Sequence, residues 1–252
     1  SLPPLSRLSS LPTHPLFSAS LNLDRLKMPA ARRPYSSPLA AVLCGLAAAV
    51  ALAGIGADAA PPAWSYGGRR GPEQWGKLDP SFRQCSSGQR QSPINIDHGV
   101  HNPRLEYMEF TYGAGSVELT NTGHWVQWNY GAPSRNMSMM MTNGVEYQLQ
   151  HVTFKVPSEH EVRGMRFPME IQFVHESTDS FNRSYRGEIA VVSVLVLEGD
   201  VSDVLDPLTK AVPLKPGQVS ELGSKVRIHP QDLFPERHRY YHYRGSETSP
   251  PC

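Results

Sequence analysis

Cysteine is the residue type whose number and placement most directly indicate chemistry in this chain. There are three cysteines, and Cys44 lies inside an uncharged apolar run at residues 39–57. If that run leaves with an export signal, Cys85 and Cys252 remain, and an even pair in an exported chain is typical of a disulfide. Such a bond would stabilise the fold by about 4–5 kcal/mol in the chain-entropy model. The alternative is two unrelated thiols.

Other side chains form no familiar catalytic pattern. The chain has ten histidines, but no spacing of Ser, His and an acidic residue indicates a nucleophilic triad. There is no P-loop and no internal repeat. Asn136-Met137-Ser138 and Asn182-Arg183-Ser184 are glycosylation sequons, which would be used if the chain passes through the endoplasmic reticulum.

The first 59 residues are typical of a targeting leader. Basic residues precede the apolar run, and Ala57-Asp58-Ala59 has the small residues that a signal peptidase prefers. The run is also just long enough to cross a bilayer, so an uncleaved anchor is the alternative. The Ser-rich stretch before Met28 is either an organelle transit segment or sequence upstream of the true start. We predict a leader at 1–59, a linker at 60–63 and one domain at 64–252.

Composition favours a β protein without nucleic-acid function. The net charge is +1 and the pI is about 7.8, which argues against broad attraction to nucleic acid or anionic membrane. Gly 20 and Pro 23 are high for a helical bundle and fit a turn-rich fold.

Short runs of alternating apolar and polar residues predict β-strands. Ile189–Leu197 is almost continuously apolar, which is typical of a strand buried on both faces. A short helix is predicted at Val201–Lys210, capped by Asp200 or Ser202. The other predicted strands are Val117–Thr120 and Trp125–Asn129, joined by a turn at Asn121-Thr122-Gly123, then Tyr147–Val156 and Met169–Val174. The sequence therefore predicts a mainly β (α+β) domain.

The motifs of this domain resemble those of the alpha-class carbonic anhydrases. Gln91–Ile96 reads QSPINI, as in that family. Further matching segments are Trp64–Gly67, Gly71–Trp75, Asn121–His124, Pro157–His160, Phe167–Glu170, Tyr243–Ser246 and Thr248–Cys252. The resemblance implies a single domain around a large, mostly antiparallel twisted sheet, with the active site in a cone-shaped cleft. The family's next segment would follow Cys252, so we expect the domain to be incomplete at its C-terminus.

The resemblance also locates the family's zinc ligands. In that family three neutral His hold zinc, and the metal lowers the pKa of its bound water to about 7. The three positions are here Thr153, Lys155 and Gln172. A hydroxyl and an amide are poor zinc ligands, and a protonated lysine has no lone pair to offer. His151, one step upstream on the same strand face, would supply at most one ligand of three, so we expect neither zinc nor CO2 hydration.

The neighbouring positions match the family better than the ligand positions do. Glu170 matches the carboxylate that orients a metal-bound His. Glu159 and Thr248 match the pair that aims the metal-bound hydroxide, and His124 matches the proton shuttle. The remaining positions implied by the resemblance are Tyr66 on the cleft's water chain, Val174 and Val191 as walls of the CO2 pocket, His151 in the shell behind the ligands, and His160 and His175 as structural residues.

Lys155 and Glu247 are charged where the family has a ligand and an apolar residue, respectively. Lys155 would stand in for the missing cation if its ammonium is balanced by Glu170, Glu159 or Glu247, because an isolated buried charge is very costly. The alternative is that Lys155 extends into the open cleft and keeps its ammonium in water.

Three functions are compatible with these positions. The first is a non-catalytic carbonic-anhydrase-related protein, a pseudoenzyme that serves as a binding or assembly module. The second is an active alpha-carbonic anhydrase with displaced ligands, for which zinc would be the cofactor. The third is a small-anion binder with Lys155 at the base of the cleft.

The first function implies a protein partner, which the sequence does not name. We expect no nucleic-acid partner and membrane contact only through an uncleaved leader. The leader predicts secretion or delivery to an organelle lumen, such as the thylakoid lumen.

Overall fold

A computed structural model describes residues 17–22, 63–105, 107–131, 138–179, 185–223 and 226–252. For residues 17–22 the backbone alone is described. Cys44, the predicted cleavage site at residues 57–59, linker residues 60–62 and both sequon asparagines lie outside the described residues, so those assignments stay predictions.

Eleven strands of the described residues form one large sheet, which is mostly antiparallel, as predicted. In chain order the strands are β1 (Phe17–Asn22), β2 (Asn95–Ile96), β3 (Glu109–Tyr112), β4 (Gly115–Asn121), β5 (Val126–Gly131), β6 (Ser138–Thr142), β7 (Val145–Lys155), β8 (Glu161–Val162), β9 (Met165–Arg166), β10 (Met169–Ser177), β11 (Ile189–Val196), β12 (Val219–Glu221), β13 (Arg227–Ile228) and β14 (Tyr240–Gly245). The large sheet runs β12-β4-β5-β7-β10-β11-β1-β14, with β13 beside β4, β6 beside β7 and β3 beside β6. Strands β2, β8 and β9 form a separate small sheet.

The helices are short. They are α1 (Trp75–Leu78), α2 (Gln84–Ser87) and α3 (Leu205–Lys210), with 3-10 turns at Gly68–Arg70, Pro72–Gln74, Pro80–Phe82 and Pro230–Leu233. Helix α3 begins later than the predicted Val201, and the Ser202 hydroxyl accepts a hydrogen bond from the Leu205 N–H at 3.2 Å. The N-cap position of α3 is Val204, and of the two proposed caps Ser202 is the one that bonds a backbone N–H of the first turn. No helix among the described residues is long and apolar enough to cross a membrane.

The centre of the sheet supplies the core. Trp128 of β5, Val152 of β7 and Phe173 of β10 are fully buried. Strand β11 is buried on both faces from residue 190 to residue 194, as its continuous apolar sequence predicts. The predicted turn before β5 is present: Gly123 has φ +87°, and its N–H donates to the Asn121 side-chain oxygen at 2.9 Å.

Strand β1 lies inside the sheet, between β11 and β14. It is parallel to β11 and antiparallel to β14, with Ala19 beside both Val191 and Tyr243. This strand falls within the segment that the sequence assigns to the leader. The strand pairing describes the chain with this segment present, and the leader assignment stays a prediction.

The predicted disulfide is confirmed. Cys85 of α2 and Cys252 are bonded, with their Cα atoms 5.1 Å apart and a sequence separation of 167 positions. The bond ties the helical segment at the start of the domain to the segment that follows β14.

Glu188, just before β11, is a buried carboxyl group outside the cleft. Its side chain is only 4% exposed, and its Oε2 has no hydrogen-bond partner among the described residues. Burial raises the pKa of Glu188 from 4.5 to about 7, although the Tyr147 hydroxyl and the Arg244 charge oppose the shift. The folded state therefore holds this proton where the unfolded state has lost it. The resulting stability is present below about pH 4.5 and disappears as the pH rises through 7.

We expect Glu188→Gln to stabilise the protein by about 1–2 kcal/mol above pH 7, because the amide stays neutral where the carboxyl group becomes a buried charge with one oxygen unbonded. Below pH 4.5 the difference should vanish. Urea unfolding at pH 4 and pH 8 measures both quantities. Exposed Glu146 on β7 supplies the control, Glu146→Gln, which should change neither value. A gain that is the same at both pH values would contradict a role for ionisation.

Candidate functional site

The C-terminal end of β7 and the middle of β10 bring the predicted ligand positions together. Side chains on a strand alternate between faces, so Thr153 and Lys155 project from the same side of β7. Gln172 of β10 pairs directly with Thr153 and lies on that same side. All three line one cavity of about 70 Å³. The rest of its lining consists of Ser92, Trp125, His151, His160, Val174, Val191, Ser246, Glu247, Thr248 and Ser249.

Lys155 is enclosed rather than extended into water. Its side chain is 6% exposed, and its Nζ donates to Glu159 Oε1 at 3.1 Å and to the Tyr66 hydroxyl at 3.0 Å. The Tyr66 hydroxyl in turn donates to Glu159 Oε1 at 2.9 Å. The Nζ also lies 3.8 Å from the centroid of the Trp125 ring, a cation–π contact. Of the three proposed counter-charges, Glu159 is the one in direct contact.

Burial and charge oppose each other at this lysine. Burial lowers the pKa of Lys155, while Glu159, Glu170 and Glu247 act to raise it. Burial also raises the pKa of Tyr66, and the Glu159 carboxylate adds to that effect. Tyr66 therefore remains a hydrogen-bond donor at neutral pH. The geometry thus supports an ammonium held between a phenol, a carboxylate and an aromatic face.

Gln172 links the two carboxylates of the site. Its Nε2 donates to Glu159 Oε2 at 3.0 Å and to Glu170 Oε1 at 2.8 Å, which uses both of its N–H bonds. Its Oε1 accepts from the Thr153 hydroxyl at 3.4 Å. All three residues at the predicted ligand positions are therefore occupied in hydrogen bonds with their neighbours.

Glu170 is fully buried and has four hydrogen-bond donors. These are Gln172 Nε2, His160 Nδ1 at 2.7 Å and the backbone N–H groups of Glu159 and His160, both at 2.9 Å. Burial alone would raise the pKa of Glu170, but the bonds and charge from His160 and the bond from Gln172 lower it to about 2. Glu170 is therefore an ionised acceptor at neutral pH.

A chain of hydrogen bonds runs from Glu170 towards β14. Since ionised Glu170 can only accept, His160 Nδ1 donates to it, and the other ring nitrogen, Nε2, lies 2.6 Å from the Tyr243 hydroxyl, within hydrogen-bond distance. Tyr243 and Ser92 hydroxyls are 2.7 Å apart, and Ser92 Oγ also accepts from the Ser246 N–H at 3.1 Å. Sequence reasoning did not assign roles to Ser92 and Tyr243, although both stand inside the matched motifs.

The other predicted residues divide between the cavity and its surroundings. His151, Val174, Val191, Glu247 and Thr248 line the cavity. His124 does not; its ring is stacked on Trp64 with centroids 3.8 Å apart. His175 is fully buried and bonds the Tyr112 hydroxyl and the Ala190 carbonyl oxygen, a packing role like the one predicted.

The donors at the predicted ligand positions do not fit a zinc ion. Tetrahedral zinc sites take three or four His, Cys or carboxylate ligands. A hydroxyl, an ammonium and an amide stand at the three positions, and the ammonium would repel the metal. Across the described ranges, no three His, Cys, Asp or Glu side chains are grouped closely enough to hold a metal ion.

Comparison with known proteins agrees with the fold and the motifs. The sequence pattern of the eukaryotic-type carbonic anhydrases matches residues 70–252. A carbonic anhydrase of Neisseria gonorrhoeae is 34% identical over 189 residues, which are 75% of this chain and 69% of that protein. Dioscorin dioA3 of Dioscorea japonica is 35% identical over 189 residues, covering 74% of this chain and 66% of dioscorin.

Solved structures give the same result. The alpha-carbonic anhydrase of Thermovibrio ammonificans, solved with the inhibitor sulfanilamide, has a TM-score of 0.68 and 32% identity, covering 77% of this chain and 80% of that one. A dioscorin solved with ascorbate has a TM-score of 0.64 and 34% identity, covering 75% and 77%. The chain therefore belongs to the alpha, or eukaryotic-type, carbonic anhydrase family.

Proposed function

We propose that this domain is a non-catalytic member of the carbonic anhydrase family, which serves as a binding or assembly module and carries no zinc. The observation that carries the proposal is the enclosed Lys155 ammonium, bonded to Glu159 and Tyr66 where the resemblance places a metal ligand. A positive charge built into the protein there neutralises the carboxylate. The scaffold then keeps its charge balance without a metal.

The family's chemistry has no nucleophile in this site. Hydroxide at neutral pH requires a metal that lowers the pKa of water. Thr153, Lys155 and Gln172 do not supply ligands for such a metal. The hydrogen-bond chain through Ser92 is not a substitute. Tyr243 separates Ser92 from His160, and Ser92 Oγ is already used as an acceptor by the Ser246 N–H. A nucleophilic serine needs direct contact with its base.

A small-molecule binding role for the same cleft is the second candidate. Dioscorin, a relative at about a third identity, has been solved with ascorbate. The observation that favours this role here is a cavity whose lining includes several polar side chains, Glu247, Thr248 and Ser249 among them. A small anion is a less suitable ligand for this cavity, because the Lys155 ammonium already pairs with the Glu159 carboxylate.

Export is part of the proposal. The Cys85–Cys252 disulfide supports an oxidising compartment, since such bonds are rare where thiols are kept reduced. The sequence of the leader supports the same route. Secretion and delivery to an organelle lumen fit these two observations equally.

Zinc content and CO2 hydration, measured on one preparation, test the non-catalytic function. We expect far less than one equivalent of zinc by elemental analysis and no hydration above the buffer rate by stopped flow. The Thermovibrio ammonificans enzyme serves as the positive control. One equivalent of zinc together with sulfanilamide-sensitive hydration would overturn the proposal, and His151 would then be the first residue to mutate.

A further inference from the structure

The cleft has two parts that differ in how their polar groups are satisfied. The inner network consists of Lys155, Glu159, Glu170 and Gln172, whose charged and amide groups are bonded to one another or to adjacent residues. A ligand that reached these groups would have to displace an existing hydrogen bond. The inner network is therefore not free to bind a ligand.

The outer cleft consists of His151, Glu247, Thr248 and Ser249, which line the same cavity. Among the described residues, none of these four side chains has a hydrogen-bond partner. Polar side chains that are half-buried in a cavity bond either to water or to a ligand. Val174 and Val191 add an apolar wall beside them.

The charges around the cavity argue against an anionic ligand. Glu159 compensates Lys155 directly. Burial lowers the pKa of His151, and the Lys155 charge adds to that effect, so this ring is less readily protonated than a free imidazole. Burial raises the pKa of Glu247, against the opposing effect of Lys155. An anion thus meets no uncompensated positive charge on this lining.

We propose that the outer cleft binds a small neutral polyol, a molecule with hydroxyl groups on adjacent carbon atoms. Thr248 and Ser249 each donate and accept, and His151 does so through its two ring nitrogens, which matches hydroxyl groups that also do both. The C–H face of such a ligand would pack on Val174 and Val191. The cavity is well below the roughly 300–1,000 Å³ of a site for a drug-sized molecule, so the ligand is small. This inference rests on the proposed non-catalytic function, since it requires the metal-free arrangement of the cleft.

Erythritol is the probe that tests the inference, titrated into the protein while amide chemical shifts are followed by NMR. We expect saturable shifts in residues 247–249 with a dissociation constant of the order of millimolar. Glu247→Ala should weaken binding at least about tenfold, the loss of one well-placed polar contact. Exposed Glu221 on β12 supplies the control, Glu221→Ala, which should leave binding unchanged. Thr248→Val, which keeps the side-chain shape, should also weaken binding and covers the case in which the Glu247 variant does not fold.

Acetate and methylammonium titrations distinguish the ionic alternatives. Tighter binding of acetate than of erythritol would overturn the inference in favour of an anion site, and tighter methylammonium binding that depends on Glu247 would overturn it in favour of a cation site. Absence of saturable erythritol shifts would also overturn it. Zinc is measured in the same sample. If the protein is zinc-free and shows no saturable shifts with erythritol, only the polyol site is refuted. A full equivalent of zinc refutes the proposed function.

Discussion

Lys155→Met is expected to destabilise the domain by about 3 kcal/mol in urea unfolding at pH 7. Methionine keeps much of the length of lysine but removes the charge that balances Glu159. Removing one partner of a buried ion pair leaves an uncompensated charge, which typically costs 3–5 kcal/mol. We expect the lower end of that range, because Glu159 keeps hydrogen bonds from Tyr66 and Gln172.

The chain contains a matched control for this experiment. Lys210 and Asp206 form another ion pair with four-residue spacing, at 2.6 Å, but their side chains are 74% and 38% exposed. Lys210→Met should therefore cost less than about 1 kcal/mol. Adding Glu159→Gln to Lys155→Met should recover part of the loss, because the buried charge is then gone as well. Equal effects of the two single lysine variants would show that Lys155 does not replace a cation.

Placing histidine at residues 153, 155 and 172 together should create a zinc site. The register between β7 and β10 sets Gln172 beside Thr153, and Lys155 projects from the same face two residues on. Three imidazoles there would supply three ligands, and the change at 155 removes the repelling ammonium. We expect about one equivalent of zinc, bound at least about 10³-fold more tightly than by the unaltered protein. Competition with a coloured chelator measures the affinity.

The double variant Thr153→His with Lys155→His is the control for that site. It supplies two imidazoles instead of three and should bind zinc much more weakly. Glu170 now bonds the side chain at 172, and it would accept the free N–H of an imidazole there, which orients a ligand. If the triple variant folds but binds zinc no better than the double variant, the three positions do not converge as assigned.

Local pattern was enough to predict the strands that form the site. Alternation predicted Tyr147–Val156, and the structure has Val145–Lys155, so the common face of Thr153 and Lys155 followed from a period of two. The boundary of α3 was predicted less well, because the turn before it continues the same polar and apolar alternation. Pattern alone could not select the counter-charge of Lys155 among three carboxylates. The turn after β7 determines the counter-charge, because it brings the Glu159 carboxylate into contact with the Lys155 ammonium.

The long-range contacts were beyond the reach of local pattern. Ser92 and Tyr243 are 151 positions apart in sequence yet share a hydrogen bond. Trp125 was predicted as a strand residue, and its ring against the Lys155 ammonium depends on how β5 meets β7. Such contacts arise only when distant strands pair. The matched motifs identified the residue types but did not show which residues would contact one another.

The Cys85–Cys252 bond makes most of the domain a closed covalent ring. A single proteolytic cut within that ring, for example in the exposed stretch around Leu214, would open a loop without releasing either piece. The strands on both sides of such a cut would stay at the same effective concentration and could remain paired. A domain closed in this way can be cut once by a protease and still persist as one molecule, until its surroundings become reducing.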